Sequence, residues 1–296
     1  MYLPYKERTL DHQYADRLRY ILTHGIAVKD TPQDVGALTC FGELTPMVFD
    51  VENGAPLITE RNVSFWRKPI GEILAFINGV RDTKTLREEY GVAWWEEWAT
   101  EKKCAKIGVP TGDLGPGSYG AGFHDFPMPN GKTFNQLSHI VTQLRNPRLH
   151  QRRTLIVNPW IPFYNGWGGI QKAVVSPCHG WLHFRVINGG LFMRMDQRSA
   201  DMPIGVPANM IQYFALLLAV AQVSGLKPTR FCHSFSDAHI YENQREEVEA
   251  LLERNPFCFP TLTIDPEVKE LSDFRPHHFE LSEYESHDAV KIAVSV

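Results

Sequence analysis

The chain has 296 residues, of which 43% are apolar, with 30 basic and 34 acidic side chains and a formal charge of -4. That is ample apolar material for one large core, and intermixed charge without a basic excess argues against a sequence-independent nucleic-acid footprint, so any phosphate it binds is expected to be small. Five cysteines, odd in number and without C-x-x-C spacing, indicate neither a disulfide framework nor a zinc ribbon, and no metal site is expected. The opening residues hold no apolar core of signal-peptide length, and the longest apolar run, 214–221, is too short to cross a bilayer. The expectation is a soluble cytoplasmic protein without membrane or nucleic-acid partners (in the host cytoplasm if its source is viral).

In chain order, Tyr14, Leu18, Ile21 and Leu22 recur at helical spacing and stop before Gly25, which reads as a helix with a glycine cap. Residues 35–51 alternate apolar and polar between glycines and read as two or three strands in hairpins. Ile70, Ile73, Leu74 and Ile77 mark a second helix opened by Pro69. Glu72 sits on the shoulder of its apolar stripe, either solvated or an acid of raised pKa in a cleft. Trp94, Trp95 and Trp98 crowd five residues, more than a single core position needs. The loop 112–120 is glycine-rich but lacks both the P-loop ending and the dinucleotide fingerprint, so it is read as holding Tyr119 in place. Phe134, Leu137, Ile140, Val141 and Leu144 predict another helix. Arg152 and Arg153 then precede a short apolar run, as an exposed edge or a phosphate clamp.

The chemistry centres on Ser176-Pro177-Cys178-His179. Residues 181–188 read as a strand, Gly189-Gly190 as a turn, and 191–196 as the returning strand, which folds Arg198 back toward Cys178. A thiol is a nucleophile as thiolate, and a nearby guanidinium or the His179 imidazole would favour that form. Pro207 opens a nearly all-apolar helix ended at Gly225, and Asn209 on its first turn is a cap or an amide that reads a ligand. Asp237-Ala238-His239-Ile240-Tyr241 follows a short strand and reads as a turn. The last segment, 289–296, is apolar to its final residue, as if it folds onto something. Helices and strands mix without strict alternation, repeat or linker, which predicts one α+β domain over 1–296.

These blocks together resemble the thymidylate synthase family, folate-dependent enzymes acting at C5 of pyrimidine nucleotides. The resemblance rests on Pro177-Cys178-His179, Gln197-Arg198-Ser199-x-Asp201, Gly205-x-Pro207-x-Asn209 and Asp237-x-His239-x-Tyr241, in family order. Weaker matches are Glu72, Trp95-x-x-Trp98-Ala99, residues 112–116, Arg152-Arg153 and the tail 284–296. The resemblance implies a mixed sheet with flanking helices, packed at a homodimer interface. It also implies a pyrimidine nucleoside monophosphate substrate and 5,10-methylenetetrahydrofolate as co-substrate.

For single residues it implies that Cys178 adds to C6 while Arg198, Ser199 and the partner's Arg152 and Arg153 hold the phosphate. Asn209 would pair with uracil N3-H and O4, where cytosine-specific relatives carry aspartate. Glu72, helped by His179, would move protons, Tyr119 would position a water, and His239 and Tyr241 would bind the sugar hydroxyl. Asp201 would meet the pterin, Trp95 would stack near the folate, and the tail through Val296 would close over it.

Departures are equally specific. The loop 31–34 lacks the family's arginine, Ala75 replaces a tryptophan on the Glu72 helix, and residues 122–124 replace Gln-Trp-Arg. Phe235-Ser236 replaces Gly-Gly, and the basic pattern around residues 59–61 is altered. Core chemistry persists while cavity walls change, so the expected activity is dUMP hydroxymethylation. The alternatives are a divergent thymidylate synthase, a CMP/dCMP hydroxymethylase and a silent nucleotide- or RNA-binding paralogue. A Cys-His hydrolase using Cys178, a histidine and Asn209 leaves Arg198 and the paired arginines unexplained.

Overall fold

The computed structural model describes residues 2–166 and 171–295. Helix α1 (Gln13–His24) buries Tyr14, Leu18 and Ile21 along one face. Gly25 ends it with φ -61°, so the glycine serves space rather than left-handed backbone: a Cβ there would stand 2.5 Å from the Ile21 carbonyl. Strands β1 (Ile26–Val28) and β2 (Ala37–Phe41) form an antiparallel hairpin, but β3 (Met47–Asp50) does not continue it. Strands β2 and β3 each pair instead with one half of a 15-residue strand, Lys227–Tyr241, opposite residues 237–241 and 230–233 respectively.

Helix α2 (Arg67–Ile77) has nine buried residues, Glu72 among them. Three short helices follow: α3 (Thr83–Tyr90), α4 (Glu101–Ile107) and α5 (Tyr119–His124). In α5 a Cβ on Gly120 would meet the Val80 carbonyl at 2.2 Å, and one on Gly122 the Pro159 carbonyl at 2.3 Å. Only glycine lets this helix lie so deep, which is how the glycine-rich segment sets Tyr119 into the core. After the small pair β4 (Phe126–Pro127) and β5 (Thr133–Phe134), Asn135 caps α6 (Gln136–Leu144) by accepting from the Ser138 N–H at 2.9 Å. That cap excludes Phe134 from the predicted helix and leaves it in β5.

Strand β6 (Ile156–Val157) leads to the hairpin of β7 (Trp181–Ile187) and β8 (Gly190–Asp201), turning at Asn188 and Gly189, whose φ are 50° and 79°. Two left-handed residues in succession match the twist of the flanking strands. Helix α7 (Gly205–Ser224) crosses over to the long strand, β9, which lies parallel to β8. Gly225 caps α7 with φ 68°. Of the described helices, α7 is the one apolar and long enough to span a bilayer, and it is sheathed by protein on almost every side. Helix α8 (Arg245–Leu252) and the hairpin β10 (Thr261–Ile264) with β11 (Phe279–Ser282) complete the chain.

The main sheet runs β1-β2-β9-β8-β7-β6, with β3 on β9. Helices α1, α2 and α7 fill one apolar side, giving the α+β architecture with a mixed sheet and flanking helices. Along β8, Leu191, Met193 and Met195 point inward, whereas Arg194 and Arg198 point away. Away from Arg198, that outward face exposes Val48, Ile156 and Ile187. The predicted turn at 237–241 is part of β9, because its backbone is paired on both sides, by β2 and by β8.

Candidate active site

The segment before β7 curls against β8, where the Arg198 N–H donates to the Cys178 carbonyl at 2.7 Å. The Arg198 guanidinium donates Nε–H to the Pro177 carbonyl at 2.8 Å and Nη2–H to the Ser176 carbonyl at 3.0 Å. Its Nη2 also stands 3.5 Å from Cys178 Sγ, and the group lies over the Trp160 ring at 5.2 Å. The hairpin thus brings cation and thiol together as the spacing predicts. Burial pushes the Cys178 thiol up, while Arg198 and the Tyr119 hydroxyl pull it down.

His179 departs from the expectation that its imidazole favours the thiolate. Burial and the Arg198 charge hold its pKa down to about 3, so the ring is neutral at pH 7 and Arg198 alone supplies positive charge. His179 Nδ1 lies 2.6 Å from the Tyr213 hydroxyl, and its ring stacks on Tyr119 at 4.6 Å. The Tyr119 hydroxyl accepts the Cys178 backbone N–H at 2.6 Å, which leaves its own proton to donate into the site. Burial keeps that phenol well above its ordinary pKa, hence protonated.

Glu72 is buried, not solvated. Its Oε1 accepts the indole N–H of Trp94 at 2.7 Å and of Trp95 at 2.6 Å, and Oε2 accepts from Gln212 Nε2 at 2.9 Å. Burial raises its pKa, and the three donors oppose the rise. Trp95, 8% exposed, therefore serves the carboxylate directly, with its ring edge-on to Phe76 and Tyr119. Two of the three clustered tryptophans are accounted for by this acid, while Trp98 lies under the Lys103 ammonium, 4.3 Å from its ring.

From Gln212 the bonding continues: Asn209 Nδ2 donates to Gln212 Oε1 at 2.9 Å, and Asn209 Oδ1 accepts from Gln197 Nε2 at 3.1 Å. Gln197 Nε2 also donates to the Ser199 carbonyl at 3.0 Å, and Gln197 Oε1 lies 2.8 Å from His233 Nε2. Since an amide oxygen only accepts, His233 carries its proton on Nε2 and leaves Nδ1 bare.

The parallel register sets Ser199 opposite Asp237 and Asp201 opposite His239, so two motifs far apart in sequence share one rim. His239 Nδ1 lies 3.0 Å from Asp237 Oδ1, a contact that holds the Asp237 carboxyl below its usual range. Tyr241, its pKa raised to about 12 chiefly by burial, donates to Gln33 Oε1 at 2.9 Å, so the loop lacking arginine still reaches this rim. Gln244 Nε2 bonds both Asp201 oxygens, at 3.3 and 3.2 Å, and donates to the tail carbonyl of Ala293 at 2.9 Å.

Arg152 and Arg153 stay outside this cluster. The Arg152 carbonyl is held by Arg185, which pairs with Phe192, six residues before Arg198 on β8. At ~3.3 Å per residue that is about 20 Å along the strand, too far to share a phosphate within one chain. Val296 lies outside the described residues.

Sequence reasoning missed the fixing partners Gln212, Tyr213, Trp94 and His233 and gave Gln197 no role. Gln212 had a signal: it follows Asn209 by three residues on a helix, hence on the same face. Burial holds the pKa of His233 down to about 3, against an ordinary value near 6.5. The unfolded chain therefore binds this proton first as pH falls, and stability is lost from about pH 6.5 downward at ~1.4 kcal/mol per unit. His233→Gln retains a donor to Gln197 and removes that titration. Urea unfolding from pH 7 to 5 is expected to show the slope reduced by about that amount relative to the unaltered protein; equal slopes would contradict it.

Residues 12–296 match the family model described as thymidylate synthase, essentially the whole chain.

Proposed function

The chain belongs to the thymidylate synthase family, whose members transfer one-carbon units from methylenetetrahydrofolate to C5 of a pyrimidine nucleotide; from that premise we propose that it is a dUMP hydroxymethylase. The reaction would join dUMP, the folate methylene and water to give 5-hydroxymethyl-dUMP and tetrahydrofolate. The Cys178 thiolate adds to C6 and makes C5 nucleophilic, and the thiol later leaves C6 as the double bond reforms. Arg198, with one end of its guanidinium still uncommitted, takes phosphate beside the thiol, and Ser199 adds a hydroxyl. Asn209 retains one N–H and one lone pair for the base, which match O4 and N3-H of uracil. Glu72 handles protons around O4, the neutral His179 supports it as a hydrogen-bonding group, and the Tyr119 proton orients water at C5. His239 and Tyr241 would bind the ribose hydroxyl.

The folate supplies the carbon at the oxidation level of formaldehyde and would meet Asp201 and the Trp95 wall. The bond from Gln244 to both Asp201 and Ala293 supports a tail that closes over that place. The observation that carries the hydroxymethylase reading is Ala75, fully buried on the Glu72 helix, where the family has a tryptophan. Less bulk beside the acid would let water reach the C5 methylene before hydride does. Trp95 and Tyr119, both retained and packed together, favour the second reading, a thymidylate synthase giving dTMP and dihydrofolate.

The same reading makes the protein a homodimer joined through the outward sheet face, each copy lending Arg152 and Arg153 to the other's phosphate. The separation of about 20 Å along the strand within one chain and the exposed Val48, Ile156 and Ile187 support it. The deciding experiment supplies dUMP and methylenetetrahydrofolate, weighs the nucleotide product and follows dihydrofolate absorbance. A hydroxymethyl product without dihydrofolate is expected; a methyl product with stoichiometric dihydrofolate would replace this reading with the second.

A further inference from the structure

We propose that Gln212 is a specificity-determining positioning residue, which holds the Asn209 amide in its uracil-reading polarity by joining it to the Glu72 carboxylate. The inference rests on the uridylate reading above. Three side-chain amides, Gln197, Asn209 and Gln212, stand in one buried line between His233 and Glu72. An amide can be turned end for end with little change of shape, so its polarity is set only by its neighbours.

Both ends of this line are fixed by acceptors, a backbone carbonyl at one and the ionised Glu72 carboxylate at the other. At one end Gln197 Nε2 is tied to the Ser199 backbone carbonyl, 3.0 Å away, so the nitrogen faces Asn209, whose oxygen must accept it. At the other, Glu72 Oε1 takes two indole protons and Oε2 accepts Gln212 Nε2, so Gln212 turns its oxygen toward Asn209, whose nitrogen must donate. The two constraints agree.

The free lone pair of Asn209 Oδ1 and its free N–H are then ordered for the N3-H and O4 of uracil. Cytosine presents an acceptor at N3 and a donor at C4, and reading it requires Asn209 reversed. Reversal would set oxygen against Gln212 Oε1 and nitrogen against Gln197 Nε2, two buried mismatches where removal of Gln212 leaves one. Gln212 therefore contributes to discrimination without touching the nucleotide.

The test is calorimetric binding of dUMP and dCMP to the full chain, independent of which product is made. The unaltered protein is expected to favour dUMP. Gln212→Met, similar in length and unable to accept or donate, is expected to cut the dUMP-to-dCMP affinity ratio about tenfold. Gln212→Glu, carrying a proton on the oxygen that faces Glu72, keeps both a donor to that carboxylate and an acceptor facing Asn209, and is expected to restore the ratio to within about threefold of the original. If Gln212→Met does not fold, Gln212→Ser, whose hydroxyl has no fixed polarity, makes the same comparison. Equal weakening of both nucleotides, with the ratio unchanged within about twofold, would reduce Gln212 to a structural residue and overturn the inference while leaving the uridylate reading intact. An unaltered protein that binds neither nucleotide, or prefers dCMP, would remove both.

Discussion

Cys178→Ala is expected to lower turnover by a factor of ~10⁴ or more while leaving dUMP binding within a few-fold of the original, because covalent addition at C6 has no substitute nucleophile. Cys40 and Cys104 are buried elsewhere in the core, and Cys232 and Cys258 are remote in sequence and bonding from Arg198. The proposed phosphate and base contacts do not use the sulfur, so binding and chemistry should separate. The thiol also sets an acid limb. Burial raises its pKa and Arg198 is the cation that opposes the rise, so the thiolate fraction, and with it activity, increases as pH is raised toward that pKa. Arg198→Leu removes the opposing charge and should move the limb to higher pH, beyond its cost in phosphate affinity; Arg198→Lys should return part of the shift. Steady-state rates from pH 5 to 9 and equilibrium dialysis with dUMP measure both effects. A Cys178→Ala protein that keeps more than about 1% of turnover would sink the covalent mechanism.

The parts of the site written as local blocks were legible before the fold. The β7–β8 hairpin returns Arg198 to Cys178 because Asn188-Gly189 turns there, and the apolar run of α7 carries Asn209 into the core. Family membership followed from the order of such blocks. What stayed hidden depends on tertiary pairing. The stretch 237–241 looks like a turn until β2 and β8 pair on either side of it, and β2 and β3 look like a hairpin until one long strand takes both. Glu72 has the helical position of a solvated residue, and its burial comes from two indoles more than 20 positions away. The effect of burial on His179 was equally invisible: proximity to the thiol was readable, but the neutrality of the ring requires knowing that it is enclosed by Tyr119 and Tyr213 and sits beside Arg198. Arg152 and Arg153 illustrate the converse. Their separation from Arg198 comes from sheet register, and it gives the partner subunit a task within the proposed dimer.

Asn209→Asp should reverse the base preference, lowering the dUMP-to-dCMP ratio of kcat/KM by a factor of ~10² or more. The introduced carboxyl, when protonated, donates to cytosine N3 and accepts from its exocyclic amine, whereas uracil N3-H then meets a donor. The existing line of amides determines how cleanly the switch works. Gln197, tied to the Ser199 carbonyl, still offers N–H to one carboxyl oxygen, which suits the variant. Gln212 presents Oε1 to the other, where an acceptor now faces an acceptor. Relief requires Gln212 to turn over, which then sets its oxygen against Glu72 Oε2 and favours a protonated Glu72. The single variant should therefore gain cytosine preference but lose overall rate, and it should work best on the acid side of the original optimum. Adding Gln212→Met removes the clash with both carboxyls and should recover part of the lost rate with dCMP. Parallel kcat/KM measurements with the two nucleotides across pH decide it. A preference for uracil that survives Asn209→Asp unchanged would show that the base is read by groups other than this amide.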